Sequence, residues 1–274
     1  HYRRVPMENL LAQAEHLVQN GAKELILVAQ ETTLYGVDLY GHKSLPELLE
    51  KLSELEELKW IRILYCYPEE ITKELVHAIE TLPKVCHYLD IPIQHGSDGI
   101  LKRMGRRTNS KELRDMVHYL RQEIPDIALR TTLITGFPGE SEQDFEQLKE
   151  FVEELRFDRL GVFTYSREED TPAAAMEEQV PEEVAEKRRD EIMQIQQKIA
   201  FEKTSAQIGR ALEVMVEGAL PEDGVYITRT YMDAPEVDGY VFVATDWNLM
   251  SGDFLNVKIT GADEYDLIGE VIEE

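Results

Sequence analysis

The sequence predicts an α/β protein in two parts. Residues 1–204 should form an open, partial TIM-type barrel of parallel strands with a trailing long helix. Residues 205–274 should form a small all-β barrel. Three observations carry this reading. Short, near-continuous apolar runs alternate with helical stretches, at intervals the size of successive βα units. Each run ends in polar or glycine-rich residues. Beyond about residue 205 the apolar pattern changes to period two, broken by Gly- and Asp-rich turns.

Taken in order, Pro6 through Asn20 sets Leu10, Leu11, Ala14, Leu17 and Val18 on one helical face, and Gly21 stops it. No strand precedes this helix, so the first βα unit is expected to lie outside the chain, which reads as a fragment. "ELILVAQ" (24–30) is the first strand, followed by a helix with Ser44 and Glu47 at capping-box spacing. "WIRILYCY" (60–67) precedes the helical "EEITKELVHAIETL". "HYLDIPI" (87–93) stops at Gln94-His95-Gly96-Ser97, and a basic helix follows from Asp98. "IALRTTLITG" (127–136) leads to a helix with Ser141 and Asp144 at the same capping spacing, and "DRLGVFTYS" (158–166) closes the series. A long charged helix runs from Pro181 to about Ser205. In the terminal part "ALEVMVEG" puts Leu212, Val214 and Val216 on one side. "GVYITRTY", "GYVFVAT" and "FLNVKIT" follow, with turns at Glu222-Asp223-Gly224, Asp238-Gly239 and Ser251-Gly252-Asp253. About five short antiparallel strands are expected there.

Composition narrows the function classes. The longest apolar runs, such as "LILVA", are too short to span a bilayer. His1-Tyr2-Arg3-Arg4 is charged but has no apolar stretch after it, so no signal peptide is read there and a cytoplasmic protein is expected. Cys66 and Cys86 read as inert core thiols rather than a disulfide framework. The net charge is −25, and residues 205–274 hold 15 acidic residues against Arg210, Arg229 and Lys258. Such a field repels RNA, so nucleic acid is not expected as the direct substrate, and it attracts a basic partner.

Ligands of parallel α/β sheets bind outside the carboxyl ends of the strands. Collected there are Gln30 to Thr33, Tyr65 to Pro68, Gln94 to Ser97, "GFPGE" (136–140) and Tyr165-Ser166. Five polar termini together describe the rim of a cavity. Arg130, Thr132 and Ile134 share a face of the fourth strand, with Leu129 and Leu133 on the other. An arginine there needs a carboxylate, from an internal ion pair or from a ligand, and both readings stay open. Gly96-Ser97 could equally cap the next helix, His95 could be a satisfied structural histidine, and the basic helix could be a solvated face.

Four stretches in this order, "LVAQETTLYG", "DIPIQHGSDGILKRMGR", "LRTTLITGFPGESEQDF" and "FTYSREEDTPAA", resemble the radical S-adenosylmethionine methylthiotransferases. "APEVDG" (234–239) and "DEYDLIGE" (263–270) look like the TRAM barrel that ends these enzymes. Gln94-His95-Gly96-Ser97 and Glu31-Thr32-Thr33 are similar to the branch that modifies an aspartate of small-subunit ribosomal protein S-twelve, rather than the branches that modify transfer RNA.

The resemblance implies a transferase that cleaves S-adenosylmethionine reductively at a [4Fe-4S] cluster. The resulting radical takes hydrogen from the aspartate β-carbon, and sulfur arrives through a second [4Fe-4S] cluster. The family's cluster cysteines precede the point where this chain starts, so the cluster ligands are not expected in it and the chain alone should be inactive. By the same resemblance, Gln30 should meet the methionyl end of S-adenosylmethionine. Gln94, Gly96 and Ser97 should lie near the ribose, and Thr132, Ile134 and Gly136 beside the adenine. Tyr65 and Phe163 should wall the cavity, and Arg130 is the candidate carboxylate clamp. The acidic TRAM barrel should meet the basic ribosomal protein. The rival readings are a transfer-RNA methylthiotransferase with an acidic barrel, and a ribosomal-partner binding module without activity.

Overall fold

A computed structural model describes residues 5–220 and 224–273. The expectations placed on His1 to Arg4 and on Glu222-Asp223 lie outside the described residues. The chain runs α1 (Met7–Gln19), β1 (Glu24–Leu27), α2 (Val37–Tyr40), α3 (Leu45–Ser53), β2 (Trp60–Ile63) and α4 (Lys73–Thr81). There follow β3 (Val85–Asp90), α5 (Asp98–Arg103), α6 (Ser110–Glu123), β4 (Ala128–Thr135), α7 (Glu142–Leu155), β5 (Arg159–Thr164) and α8 (Glu182–Ser205). The last part holds β6 (Ala211–Leu220), β7 (Val225–Arg229), β8 (Val241–Ala244), β9 (Phe254–Asp263) and β10 (Asp266–Val271). Strands β1 to β5 pair in sequence order, all parallel, as an open sheet. Strands β6 to β10 close into a barrel.

Period two sorts the open sheet's side chains. Leu25, Ile61, Ile63, Val85, Leu89, Leu129, Leu133 and Val162 bury themselves under the helices in one core. The helices are held where their sequences direct. Ser141 and Asp144 make the expected reciprocal cap of α7, and Asn109 and Glu112 make a second one at α6. The cap expected at Ser44 does not form. Its hydroxyl donates to the His42 carbonyl at 3.2 Å instead, and a Cβ on Gly36 would lie 2.3 Å from it.

The opposite face of the sheet is polar low down, and the terminal barrel covers it. Trp60, Cys86, Tyr88 and Ala128 pack against Met215 and Ala234 of that barrel. Around this apolar seam runs a set of buried ion pairs. Glu24 takes both Arg62, at 2.7 Å, and Arg229. Arg159 pairs with Asp233. Arg130 lies 2.9 Å from Asp90 and 3.6 Å from Asp238, which also accepts the Tyr88 hydroxyl at 2.9 Å. Each sheet arginine thus finds a carboxylate, which is what burial of a guanidinium requires. Asp233 and Asp238 of the acidic barrel turn inward onto sheet arginines rather than facing solvent, and the half-buried Glu217 pairs with Arg229.

The barrel itself follows the period-two reading. Leu212, Val214 and Val216 join Val241, Val243, Val257 and Ile259 in its core, while Met215 points out to the seam. One expectation is corrected. The strands are not all antiparallel, because β10 pairs with β8 in parallel and so closes the barrel. Among the described residues, no helix is long and apolar enough to cross a membrane.

Candidate active site

Above the carboxyl ends of β1 to β4 lies an open cavity of about 570 Å³. Gln30 borders it from β1, Tyr65 and Tyr67 from β2, Gln94 from β3, and Ile134 and Phe137 from β4. Its size falls within the range of small-molecule sites.

Two of these residues are turned toward it by unusual backbone. Tyr65 (φ 58°) and Gln94 (φ 78°) occupy the left-handed region, at the ends of neighbouring strands. Such a residue costs about 1–3 kcal/mol unless its surroundings hold it there. Gln94 is held at both ends. Its N–H donates to Thr132 O at 2.9 Å and its carbonyl accepts from Ile134 N at 2.8 Å. Tyr65 is tied by Thr32 N, which donates to its carbonyl at 3.0 Å, and its own N–H lies 3.4 Å from Asp90 Oδ2. The Gln94 side-chain carbonyl is buried and has no partner among the described residues. A buried acceptor without a donor is an unmet demand worth about 1–3 kcal/mol, and a ligand hydroxyl or amine meets it.

Behind the rim, side chains tie one strand-end loop to the next. Glu31 is buried and accepts Thr33 N at 2.9 Å and Tyr67 N at 3.0 Å, joining the β1 and β2 loops. Burial pushes its carboxyl above the usual range, against the pull of those hydrogen bonds. His95 is fully buried. Ser97 N donates to its Nδ1 at 2.9 Å, so Nε2 carries the proton and donates to Glu140 Oε2 at 3.1 Å. Glu140 also accepts from Gly136 N at 3.1 Å and Arg188 Nη1 at 2.7 Å. One carboxylate therefore joins the β3 loop, the "GFPGE" loop and α8.

The ten residues singled out by sequence fall into three groups. Gln30, Tyr65, Gln94 and Ile134 come together at the cavity. Gly96, Ser97 and Gly136 stand behind its wall. A Cβ at Gly96 would come 2.7 Å from the Phe151 Cβ, and the Ser97 hydroxyl donates to Asp144 at 2.5 Å. Gly136 (φ 74°) lets α8 approach, since a Cβ there would lie 2.2 Å from that of Ala185. The rest share the sheet face of Ile134. Phe163, 63% exposed, is its register partner at the end of β5, Thr132 is one pleat lower and Arg130 two. Arg130 is not a mouth residue: its charge is taken up by Asp90 and Asp238, the internal pairing left open above.

Sequence reasoning placed Tyr67 and Phe137 on the rim but gave them no role, and it left the basic stretch with Arg106 open as a solvated face. Arg106 lines the cavity, donates to Pro92 O at 2.5 Å and stands 5.4 Å over the Tyr67 ring. The signal was present in the basic helix. Lys102 and Arg103 lie within α5, whereas Arg106 follows its end.

Gly136→Ala is expected to cost about 2–5 kcal/mol, from strain at positive φ plus the clash with Ala185. Denaturant unfolding reads it. Adding Ala185→Gly should return the clash part only; no return at all would show that α8 does not press on this glycine.

The cysteines do not make a metal centre. Cys66 and Cys86 are free and buried. Burial pushes both thiols up, that of Cys86 to about 12, away from the thiolate that binds metal. Among the described residues no group of three or more His, Cys, Asp or Glu is placed to hold a metal ion.

Residues 1–152, more than half of the chain, match the family model described as the radical SAM superfamily, and residues 208–272 match the TRAM domain. The ribosomal protein uS12 methylthiotransferase RimO of Lachnoclostridium phytofermentans is 63% identical over 268 residues, covering 98% of this chain and 61% of that protein. The protein of the same name from Desulfitobacterium hafniense is 50% identical over 273 residues, covering 100% of this chain and 61% of that one. The chain thus spans about three-fifths of the length of these curated relatives. Among solved structures, the radical S-adenosylmethionine methyltransferase TsrM from Kitasatospora setae aligns at a TM-score of 0.47 and 15% identity, over 60% of this chain and 31% of that one.

Proposed function

The chain belongs to the radical SAM superfamily, and from that premise we propose that it works within a methylthiotransferase. The substrate in this reading is an aspartate of ribosomal protein uS12, modified at its β-carbon. The observation that carries it is the strand-end cavity with the unpartnered Gln94 carbonyl.

The cavity's residues fit S-adenosylmethionine. Gln94 Oε1 offers an acceptor to a ribose hydroxyl, and Gln30 takes the methionyl end. Ile134, with Thr132 below it, supplies the adenine's apolar wall, Tyr65 forms a side, and Phe163 stands next to Ile134 at the end of β5. Gly96, Ser97 and Gly136 act from behind by letting α7 and α8 pack close, which holds the β3 and β4 loops in place. When bound, the sulfonium supplies the radical chemistry and the methyl group. The chain's part is to bind it, orient it and keep water from it.

An iron–sulfur cluster does not fit the side chains described here, since two separate buried thiols cannot supply three thiolates. In this reading the ligands of two [4Fe-4S] clusters stand elsewhere in the full-length enzyme.

The terminal barrel favours a basic protein partner over RNA. With Asp233 and Asp238 engaged inside and Glu217 paired with Arg229, Glu213, Asp246, Asp263, Glu264 and Glu270 still face solvent, against Arg210 and Lys258. A cytoplasmic site of action accords with a ribosomal substrate. Mass spectrometry of ribosomal proteins and bulk transfer RNA from a strain lacking the gene tests the reading. Loss of the methylthio mass from uS12 is expected; its loss from transfer RNA, with uS12 unchanged, would overturn it.

A further inference from the structure

A second cavity, of about 420 Å³, lies at the junction of the sheet, α8 and the terminal barrel. It borders the edge of β5, which among the described residues pairs only with β4. Arg130 and Arg159 stand on its sheet side, Gln196 on its α8 side, and Asp238, Tyr240 and Tyr265 on its barrel side.

Gln196 is the informative residue. It is 3% exposed, and its Nε2 donates to Phe157 O at 2.9 Å, which fixes the amide's orientation. Its Oε1 is left buried with no partner among the described residues. The opposite wall has been kept bare. Gly161 sits mid-strand, where a Cβ would meet nothing nearer than Phe163 Cε2 at 3.9 Å. A glycine inside a strand weakens it, and often marks a place where something else must approach.

Charge decides what that is. Around the cavity, Asp90, Asp158, Asp233, Asp238 and Asp266 stand against Arg130, Arg159, Lys203 and Arg121, the last 4.0 Å from Asp158. Asp266 accepts only a backbone N–H, from Tyr240, and no lysine or arginine pairs with it among the described residues. The excess is negative, so an anion is disfavoured and a cation drawn in. The unmet Gln196 acceptor asks for a donor, and the tyrosine rings suit an alkyl stem or a cation.

We propose that this cavity binds an alkyl cation of the lysine or arginine kind, its head group donating to Gln196 Oε1 and its stem lying against Tyr240 and Tyr265. The site is separate from the strand-end cavity, and the proposal does not depend on the function assigned to that one.

Calorimetric titration of the full-length protein with n-butylguanidinium tests it, with butyrate as the control of opposite charge. Saturable binding of the cation and none of butyrate are expected. Gln196→Met should weaken the cation about tenfold, the loss of one buried hydrogen bond. Gly161→Leu fills the space from a strand position free of clashes and should abolish binding; circular dichroism checks that both variants fold. A capped Ala-Arg-Ala peptide separates the sources. Tighter binding than butylguanidinium marks a protein side chain as the natural occupant, weaker binding a free amine, and either sustains the site. No saturation in the wild type, equal affinity in wild type and both variants, or equal binding of butyrate would overturn it.

Discussion

Replacing Arg130 by methionine is expected to remove about 1–3 kcal/mol of stability at neutral pH, because it leaves Asp90 without its cation and Asp238 with only its hydrogen bonds and the field of Arg159. Methionine keeps most of the apolar stem, so the loss measures the missing charge. Asp90 would lose its 2.9 Å partner, and Asp238 the arginine 3.6 Å away. Burial already holds the Asp238 carboxyl above the usual range. The folded state therefore binds that proton more tightly than the unfolded chain does. Stability from this group is present at low pH and is lost as pH rises through the elevated folded value. Without Arg130 the folded value climbs further, so the variant's deficit should shrink as pH falls from about 7 toward about 5. Urea unfolding at the two pH values reads both effects. Adding Asp238→Asn should restore part of the loss at neutral pH. A single variant within about 0.5 kcal/mol of wild type would mean that the seam is wet and the pairing of little consequence.

The same seam shows where sequence reasoning could and could not reach. Alternation assigned Arg130 to the polar face of β4 correctly, since period two is a local property of a strand. Height along the strand is not local. Whether Arg130 stood at the mouth or deep in the sheet depended on Asp238, a residue of another module. Likewise the acidity of the terminal barrel was read as an outward feature, and part of it turned out to face inward onto Arg130 and Arg159.

The strands themselves were legible because their apolar runs are nearly continuous, and each begins close to where the pattern placed it. They end earlier than the pattern ran. Tyr65 and Gln94 leave the sheet in left-handed backbone that no hydrophobic periodicity encodes. Caps divided in an instructive way. Ser141-x-x-Asp144 and Ser44-x-x-Glu47 look alike in sequence, yet only the first caps, because Ser44 is drawn to the His42 carbonyl beside Gly36. Asn109-x-x-Glu112 carried the same signal unread.

Gln94→Asn is expected to leave the fold intact and to weaken S-adenosylmethionine binding by the full-length enzyme about tenfold or more. Asparagine tolerates the left-handed backbone that Gln94 adopts at φ 78°, so the anchors to Thr132 and Ile134 should hold. The amide loses one methylene of reach. Its carbonyl then falls short of a ligand hydroxyl, and an unpaired donor in a shielded site costs about 1–3 kcal/mol, roughly 5- to 150-fold in affinity. Gln94→Gly separates strain from contact. It removes the backbone penalty and the acceptor together, so stability should hold or rise while binding falls as far as in the asparagine variant. Equilibrium dialysis with S-adenosylmethionine and urea unfolding give the two readouts. If asparagine and glycine both bound the sulfonium like wild type, the buried Oε1 would have some other partner, and the cavity would have lost the one group that selects a ligand for it.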